Sequence, residues 1–274
     1  MREGGAMKLC EKGKDPIVDL LFDGLRANVL RIPRPLEPLS VIARNGKRAV
    51  FRGSLNPLLD SPVEVSASLS DCPSISSRRS SQISLEIGVK LLEGMLAGFG
   101  CNAAGLAARL AGSQAVSFSF ENVVRSAFDV NELGLALAGK ELRSDNPAFE
   151  LFVGPAPWEA LLVDACLASN AFSLHVERTH GAGLELSAAE LQDLLGASAK
   201  LAVSVSSSRS VTFRADTALT FAFSCIRMGI GTNRVVSLRP AETGIVLEPL
   251  GIGARPAPEH TILADRETLS LEDG

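Results

Sequence analysis

Alternation of apolar and polar positions marks two stretches of the chain most clearly. Val116-Ser117-Phe118-Ser119-Phe120 alternates strictly and predicts a strand extensible toward Phe128. Val63, Val65, Ala67 and Leu69 alternate with Glu64, Ser66 and Ser68, predicting a half-buried strand over 63–69. Leu39-Ser40-Val41-Ile42 and Ala49-Val50-Phe51 flank Ala43-Arg44-Asn45-Gly46-Lys47-Arg48. An Asn-Gly pair between two apolar runs predicts a β-hairpin. Further strands are expected over 171–178, 200–205, 211–213 and 219–227, the last with Leu219, Phe221, Phe223 and Cys225 on one face. The stretch 155–167 reads equally as helix or strand.

Helical spacing occupies other segments. Asp15-Pro16 ahead of Ile17, Val18, Leu20, Leu21 and Leu25 predicts a capped helix that Gly24 and Asn28 punctuate. Ser187-Ala188-Ala189-Glu190 is a capping box leading into Leu191, Leu194 and Leu195, with Gly196 as the stop. Stretches 85–97 and 103–111 have helical character, diluted by Gly88, Gly94, Gly98, Gly100 and Gly105 at about 1 kcal/mol each relative to Ala. Pro33, Pro35 and Pro38 keep the approach to the hairpin extended, and the Ser-rich 72–82 with Arg78-Arg79 predicts a loop. Strands outnumber simple βαβ alternation, so the expected class is α+β: a twisted antiparallel sheet surrounded by helices.

Composition narrows the function classes. A mean hydropathy of +0.21 over 274 residues is high, yet the longest apolar stretch, 87–111, is interrupted by Lys90, Glu93, Asn102 and Arg109. A spanning helix needs about 20 mostly uncharged residues, so this stretch does not make one at rest. The opening residues lack the apolar core of a signal peptide. Cys10, Cys72, Cys101, Cys166 and Cys225 form no CxxC pair, and His175, His180 and His260 add no zinc spacing, so reduced thiols in a cytosol are expected. No hydrolase elbow, metalloprotease helix or Walker loop occurs, and the Gly229 and Gly251 Gly-x-Gly turns lack the third glycine of a dinucleotide fingerprint. Pairing of Cys166 with His175, with Asp164 or Glu177 as orienter, is the catalytic arrangement the residues leave open.

Charge is distributed unevenly. From Ala241 to Gly274 seven acids face two arginines, a net −5, whereas the first 240 residues carry +1. Lys8, Lys12 and Lys14 cluster near the start, and Arg44, Lys47, Arg48 and Arg52 lie on or beside the hairpin tip. Phe51 is the only aromatic near that tip, too few for nucleic-acid stacking, so anionic phospholipid is the better target and no nucleic-acid partner is expected. A basic-clustered body (1–240) and an acidic tail (241–274) together predict a masked surface.

These features meet in one resemblance. Val29-Leu30-Arg31-Ile32-Pro33 running into Leu36-Glu37-Pro38-Leu39-Ser40-Val41-Ile42 resembles the start of the gasdermin pore-forming domain. The segment Leu219-Thr220-Phe221-Ala222-Phe223-Ser224-Cys225-Ile226-Arg227-Met228 resembles the closing strand of the bacterial gasdermins, which are similar in length and in their short inhibitory tail. The resemblance implies a cytoplasmic monomer, cut by an activating protease near the tail in the 234–253 region, around Arg239, Leu247 and Leu250. After cutting, it implies a homo-oligomer in the inner membrane that permeabilises it in anti-phage cell death. Segments 75–111 and 146–184 would then supply membrane hairpins. It also implies a palmitate on Cys10, fourth in the chain if translation begins at Met7, and no other cofactor. The basic hairpin tip, Arg44–Arg48, departs from some animal gasdermins in having no bulky aromatic anchor. A cysteine-dependent cytosolic enzyme and a non-lytic membrane adaptor stay open as alternatives.

Overall fold

The computed structural model describes residues 21, 27–72, 83–102, 104–110, 115–177, 187–195, 201–207, 209–231, 233–239, 260–261, 263 and 268–273. Among them the strands are, in chain order, β1 (Asn28–Arg34), β2 (Ser40–Asn45), β3 (Arg48–Ser54), β4 (Ser68–Cys72), β5 (Ile83–Ser84), β6 (Ala115–Glu121) and β7 (Val123–Ala127). They continue with β8 (Glu159–Glu177), β9 (Leu201–Ser207), β10 (Ser210–Ile230), β11 (Val236–Arg239), β12 (Thr268–Leu269) and β13 (Leu271–Asp273). The helices are α1 (Leu85–Gly98), α2 (Ala104–Leu110), α3 (Val130–Leu137), α4 (Glu150–Val153) and α5 (Ala188–Leu195). The expected capped helix beginning at Asp15, the loop 73–82, and residues Lys8, Cys10, Lys12, Lys14, His180, Leu247 and Leu250 lie outside the described residues.

β8 and β10, of 19 and 21 residues, pair antiparallel along most of their length and form the spine of the sheet. Its main path runs β12-β1-β10-β8-β2-β3-β13. Both long strands are buried on their two faces over much of their length. A strand covered on both sides loses its alternation, so 155–167 reads equally as helix or strand. The split between 211–213 and 219–227 instead reflects the exposed Arg214, Asp216, Thr217 and Ala218, where the register also shifts. The expected common face of Leu219, Phe221, Phe223 and Cys225 does not form. The register shift between Thr220 and Ala222 falls at Phe221, which joins one core cluster while Phe223 and Cys225 join another.

Three apolar cores result. In the first, α1, α2 and α5 cover one end of the sheet, with Leu92, Leu96, Leu106 and Leu191 against Phe118, Phe172, Phe213 and Phe221. Phe172 and Phe213 stack at 4.9 Å, and Phe120 and Phe221 at 4.1 Å. The second gathers Leu55, Leu59, Leu133, Leu137 and Met228 around α3. Among the described residues, strands and loops form the third: Leu30, Ile42, Ala49, Leu161, Val163, Phe223, Cys225 and Leu269.

Local signals are realised with some displacement. Asn45 pairs with Arg48, so the hairpin loop is Gly46-Lys47, with φ +59° at Gly46. Glycine suits the first central position of such a tight turn, which moves the loop one residue past the Asn-Gly reading. The strand expected over 63–69 is realised only at its end. Val63, Val65 and Ala67 face inward as the alternation predicts, but 63–67 joins no ladder among the described residues, and β4 begins at Ser68 with Leu69 exposed. Asn122, at φ +51°, breaks the strand expected from 116 to 128 into β6 and β7, both pairing with β8. The capping box forms as expected, Glu190 Oε2 accepting from the Ser187 amide at 2.7 Å and Ser187 Oγ from the Glu190 amide at 3.2 Å. In α1, Gly94 and Gly98 are contact positions. A Cβ there would lie 2.0 Å from the Arg31 carbonyl oxygen and 2.6 Å from that of Pro33, so the helix rests directly on β1.

Candidate functional site

The end of the chain is built into the sheet. Thr268 and Leu269 pair parallel with Val29 and Leu30 of β1, and Leu271, Glu272 and Asp273 pair parallel with Ala49, Val50 and Phe51 of β3. All other described strand pairs are antiparallel. Only Ser270 separates β12 from β13, so one short segment occupies both ends of the sheet path and closes it around the third core. Leu269 is 5% exposed in that core, with Leu263 and Leu271 packed against its margin.

Side chains add a second layer of contacts. Arg34 donates to the Leu271 carbonyl and pairs with Asp273; Arg48 pairs with Glu272 at 2.8 Å. The Arg48–Glu272 side chains are 58% and 48% exposed, so that pair contributes at most about 1 kcal/mol. Burial of Leu269, at roughly 1.5–3 kcal/mol, outweighs it.

Deeper in, a polar knot ties the segment to the spine. The Thr261 amide donates to the Cys225 carbonyl at 2.7 Å, and Asn28 Nδ2 donates to the Thr261 carbonyl at 3.0 Å. Asn28 Oδ1 accepts from the Leu263 amide at 2.6 Å. His260 Nε2 lies 2.8 Å from Asp164 Oδ2. That hydrogen bond and charge hold the imidazole's pKa above its ordinary value, against partial burial and the repulsion of Arg125.

Several residues singled out in the sequence take different places from those expected. Asp164 serves His260 in the C-terminal segment, not His175. His175 and Cys166 share β8 nine positions apart, about 30 Å along an extended strand, so they form no dyad. Burial pushes the Cys166 thiol up to about 12 and raises that of Cys225 further, leaving neither a thiolate for nucleophilic work. Arg44 is tied to Glu159, which also holds Arg227 at 2.5 Å, and Arg48 lies 5.5 Å over the Trp158 ring. Lys47 projects at the turn and Arg52 is half-buried on β3. Arg239 ends β11, paired to Arg227, and the 240–259 region that follows lies outside the described residues. The sequence reading missed Asn28, Arg34 and Glu159. Each partners a residue scores of positions away or on another strand, which no local pattern encodes.

The expected second membrane segment, 146–184, is half spine: 159–177 is β8. The described helices of the first core, Leu85–Gly98, Ala104–Leu110 and Ala188–Leu195, lie at the ends of β5, β6, β8 and β9, the first two within the expected segment 75–111. Among the described residues no helix is long and apolar enough to cross a membrane.

The model of the bacterial gasdermin family matches residues 30–243. The chain belongs to that family. It is 27% identical over 263 residues to the gasdermin bGSDM of Vitiosangium sp., covering 94% of this chain and 96% of that protein. Against the gasdermin bGSDM of a Desulfuromonadales bacterium it is 24% identical over 237 residues, 84% of this chain and 88% of that one. The solved structure of a bacterial gasdermin from Bradyrhizobium tropiciagri has the same fold, with a TM-score of 0.62, 13% identity, and 96% and 98% of the two chains covered. Gasdermins are pore-forming proteins that act on membranes, not enzymes, and this gasdermin has their sheet-dominated α+β fold.

Proposed function

We propose that this gasdermin is an autoinhibited pore former whose C-terminal segment is the lock. The observation that carries the reading is the dual pairing of 268–273, which occupies the free edges of β1 and β3 at once. In the intact protein, a cytoplasmic monomer, those edges are covered and Arg48 is paired with Glu272. A protease cutting after Arg239, near Leu247 or Leu250, turns the lock into a separate molecule. Tethering no longer holds it at high effective concentration, and it leaves. Uncovered basic residues then meet anionic phospholipid of the inner membrane, helped by Lys8, Lys12 and Lys14 and by a palmitate on Cys10.

Insertion needs every backbone polar group paired, so the body assembles as a closed ring of β-hairpins. A spanning strand takes about 9–11 residues. The 83–115 and 178–200 regions each supply two by straightening their helices into extensions of the strands they join. The outcome is permeabilisation and cell death, with defence against phage as its use.

Expression in bacteria tests this reading. Full-length protein is expected to leave growth unaffected, whereas a chain ending at Arg239 is toxic and Cys10→Ala reduces that toxicity. A truncated chain that folds, reaches the membrane and spares the cells contradicts it.

A further inference from the structure

Asp164 is 2% exposed on β8, and its Oδ1 has no hydrogen-bond partner among the described residues. Its Oδ2 meets one described side chain, His260, which belongs to the C-terminal segment and lies 96 positions away. Elsewhere the described residues of the segment are held by apolar contact, backbone pairing, hydrogen bonds with Asn28 and Arg34, and ion pairs with Arg34 and Arg48. His260 is the one described residue of the segment whose ordinary pKa lies near neutrality. We propose that His260 and Asp164 form a charge latch that makes retention of the C-terminal segment depend on pH, tight when the imidazole carries its proton and loosened when that proton passes to solvent.

Groups from four strands face the imidazole. Asp164 on β8 attracts its charge, Arg125 on β7 opposes it, and β10 contributes the buried Cys225 thiol, which stays neutral. From β1 comes the uncharged Asn28 amide, engaged with Thr261 and Leu263. A carboxylate this buried, stripped of its cation, is a costly group, so the body gains most from a protonated His260. Neutral His260 still donates one hydrogen bond but leaves the carboxylate charge unbalanced.

The sign follows from linkage. The docked imidazole has a raised pKa, so its contribution is complete below the free value near 6.5 and is lost as pH rises through the docked value. One proton is linked, which limits the weakening to about tenfold in affinity per pH unit across that window. A cut gasdermin therefore keeps its lock longer in mildly acidic surroundings and releases it faster in alkaline ones. The consequence for pore formation rests on the proposed lock, but retention is measured without it.

The test uses full-length protein bearing a fluorophore on the C-terminal segment and a specific protease site placed in 240–259. After cutting in the absence of lipid, the rate of segment loss is followed by anisotropy from about pH 6 to about pH 8.5. The parent is expected to lose its segment progressively faster as pH rises. H260Q, which keeps a donor without the charge, and D164N, which keeps an acceptor, are both expected to give flat profiles. A pH-independent parent, or an H260Q slope equal to the parental one, overturns the latch. Should the segment leave with the expected pH profile yet liposomes stay sealed, the latch stands and the lock reading falls.

Discussion

Gly94 illustrates how much a single residue decides. Ala is ordinarily the better helix former by about 1 kcal/mol, so propensity alone predicts that Gly94→Ala on α1 is an improvement. The Cβ it adds would sit 2.0 Å from a backbone oxygen of β1, which has no side-chain freedom to give way. Overpacking of that kind costs about 1–3 kcal/mol, so the clash wins. Gly134 on α3 is the control, since a Cβ there meets only Leu238 Cδ1 at an ordinary 3.8 Å. Urea unfolding is expected to show a lower midpoint for G94A and an unchanged or higher one for G134A. Equal shifts in the two variants would mean that α1 does not rest on β1 as described.

Elements carry the link between fold and membrane. The β2–β3 hairpin presents Lys47 at its turn and Arg48 beside it, whereas Arg44 is committed to Glu159. Reversing Arg44 would set two carboxylates together and damage the fold, so the informative variant is K47E/R48E. At about 1 kcal/mol per basic residue near an anionic surface, it should weaken liposome binding of the segment-free form by about tenfold or more, and added salt should mimic the loss. Equal binding of the parent to anionic and zwitterionic vesicles would contradict this. Leu269→Asp loads the other side of the same hairpin by placing a charge in the third core. Faster hydrogen exchange at the β3 amides opposite Leu271–Asp273, without any cut, is the expected result, and unchanged exchange the contrary one.

What the sequence disclosed about these elements was local. The Gly46 turn, the Ser187–Glu190 capping box and the β6 alternation are encoded within a few neighbouring residues, and each appears. β8 was only partly legible because burial on both faces erases the pattern that announces a strand, and β10 because exposed residues at 214–218 interrupt it. The candidate site was legible as a charge imbalance and a scatter of leucines near the end of the chain. Its geometry was not, since His260–Asp164, Asn28–Thr261 and Arg34–Asp273 join residues 96 to 239 positions apart.

At the scale of the whole molecule, the resting form is a sheet whose path is closed by its own C-terminus. Two strand edges, the third core and one buried carboxylate all draw cover from those few residues. Under the proposed lock, that concentration would let a single cut just ahead of the segment change the state, because each contact alone is weak and all would be lost together. The most direct test is dye release from sealed anionic liposomes by full-length protein with a specific protease site in 240–259, measured before and after cutting. No release is expected before the cut, and rapid release once the C-terminal segment has departed. Membrane-bound, segment-free protein that leaves the dye inside would contradict the account.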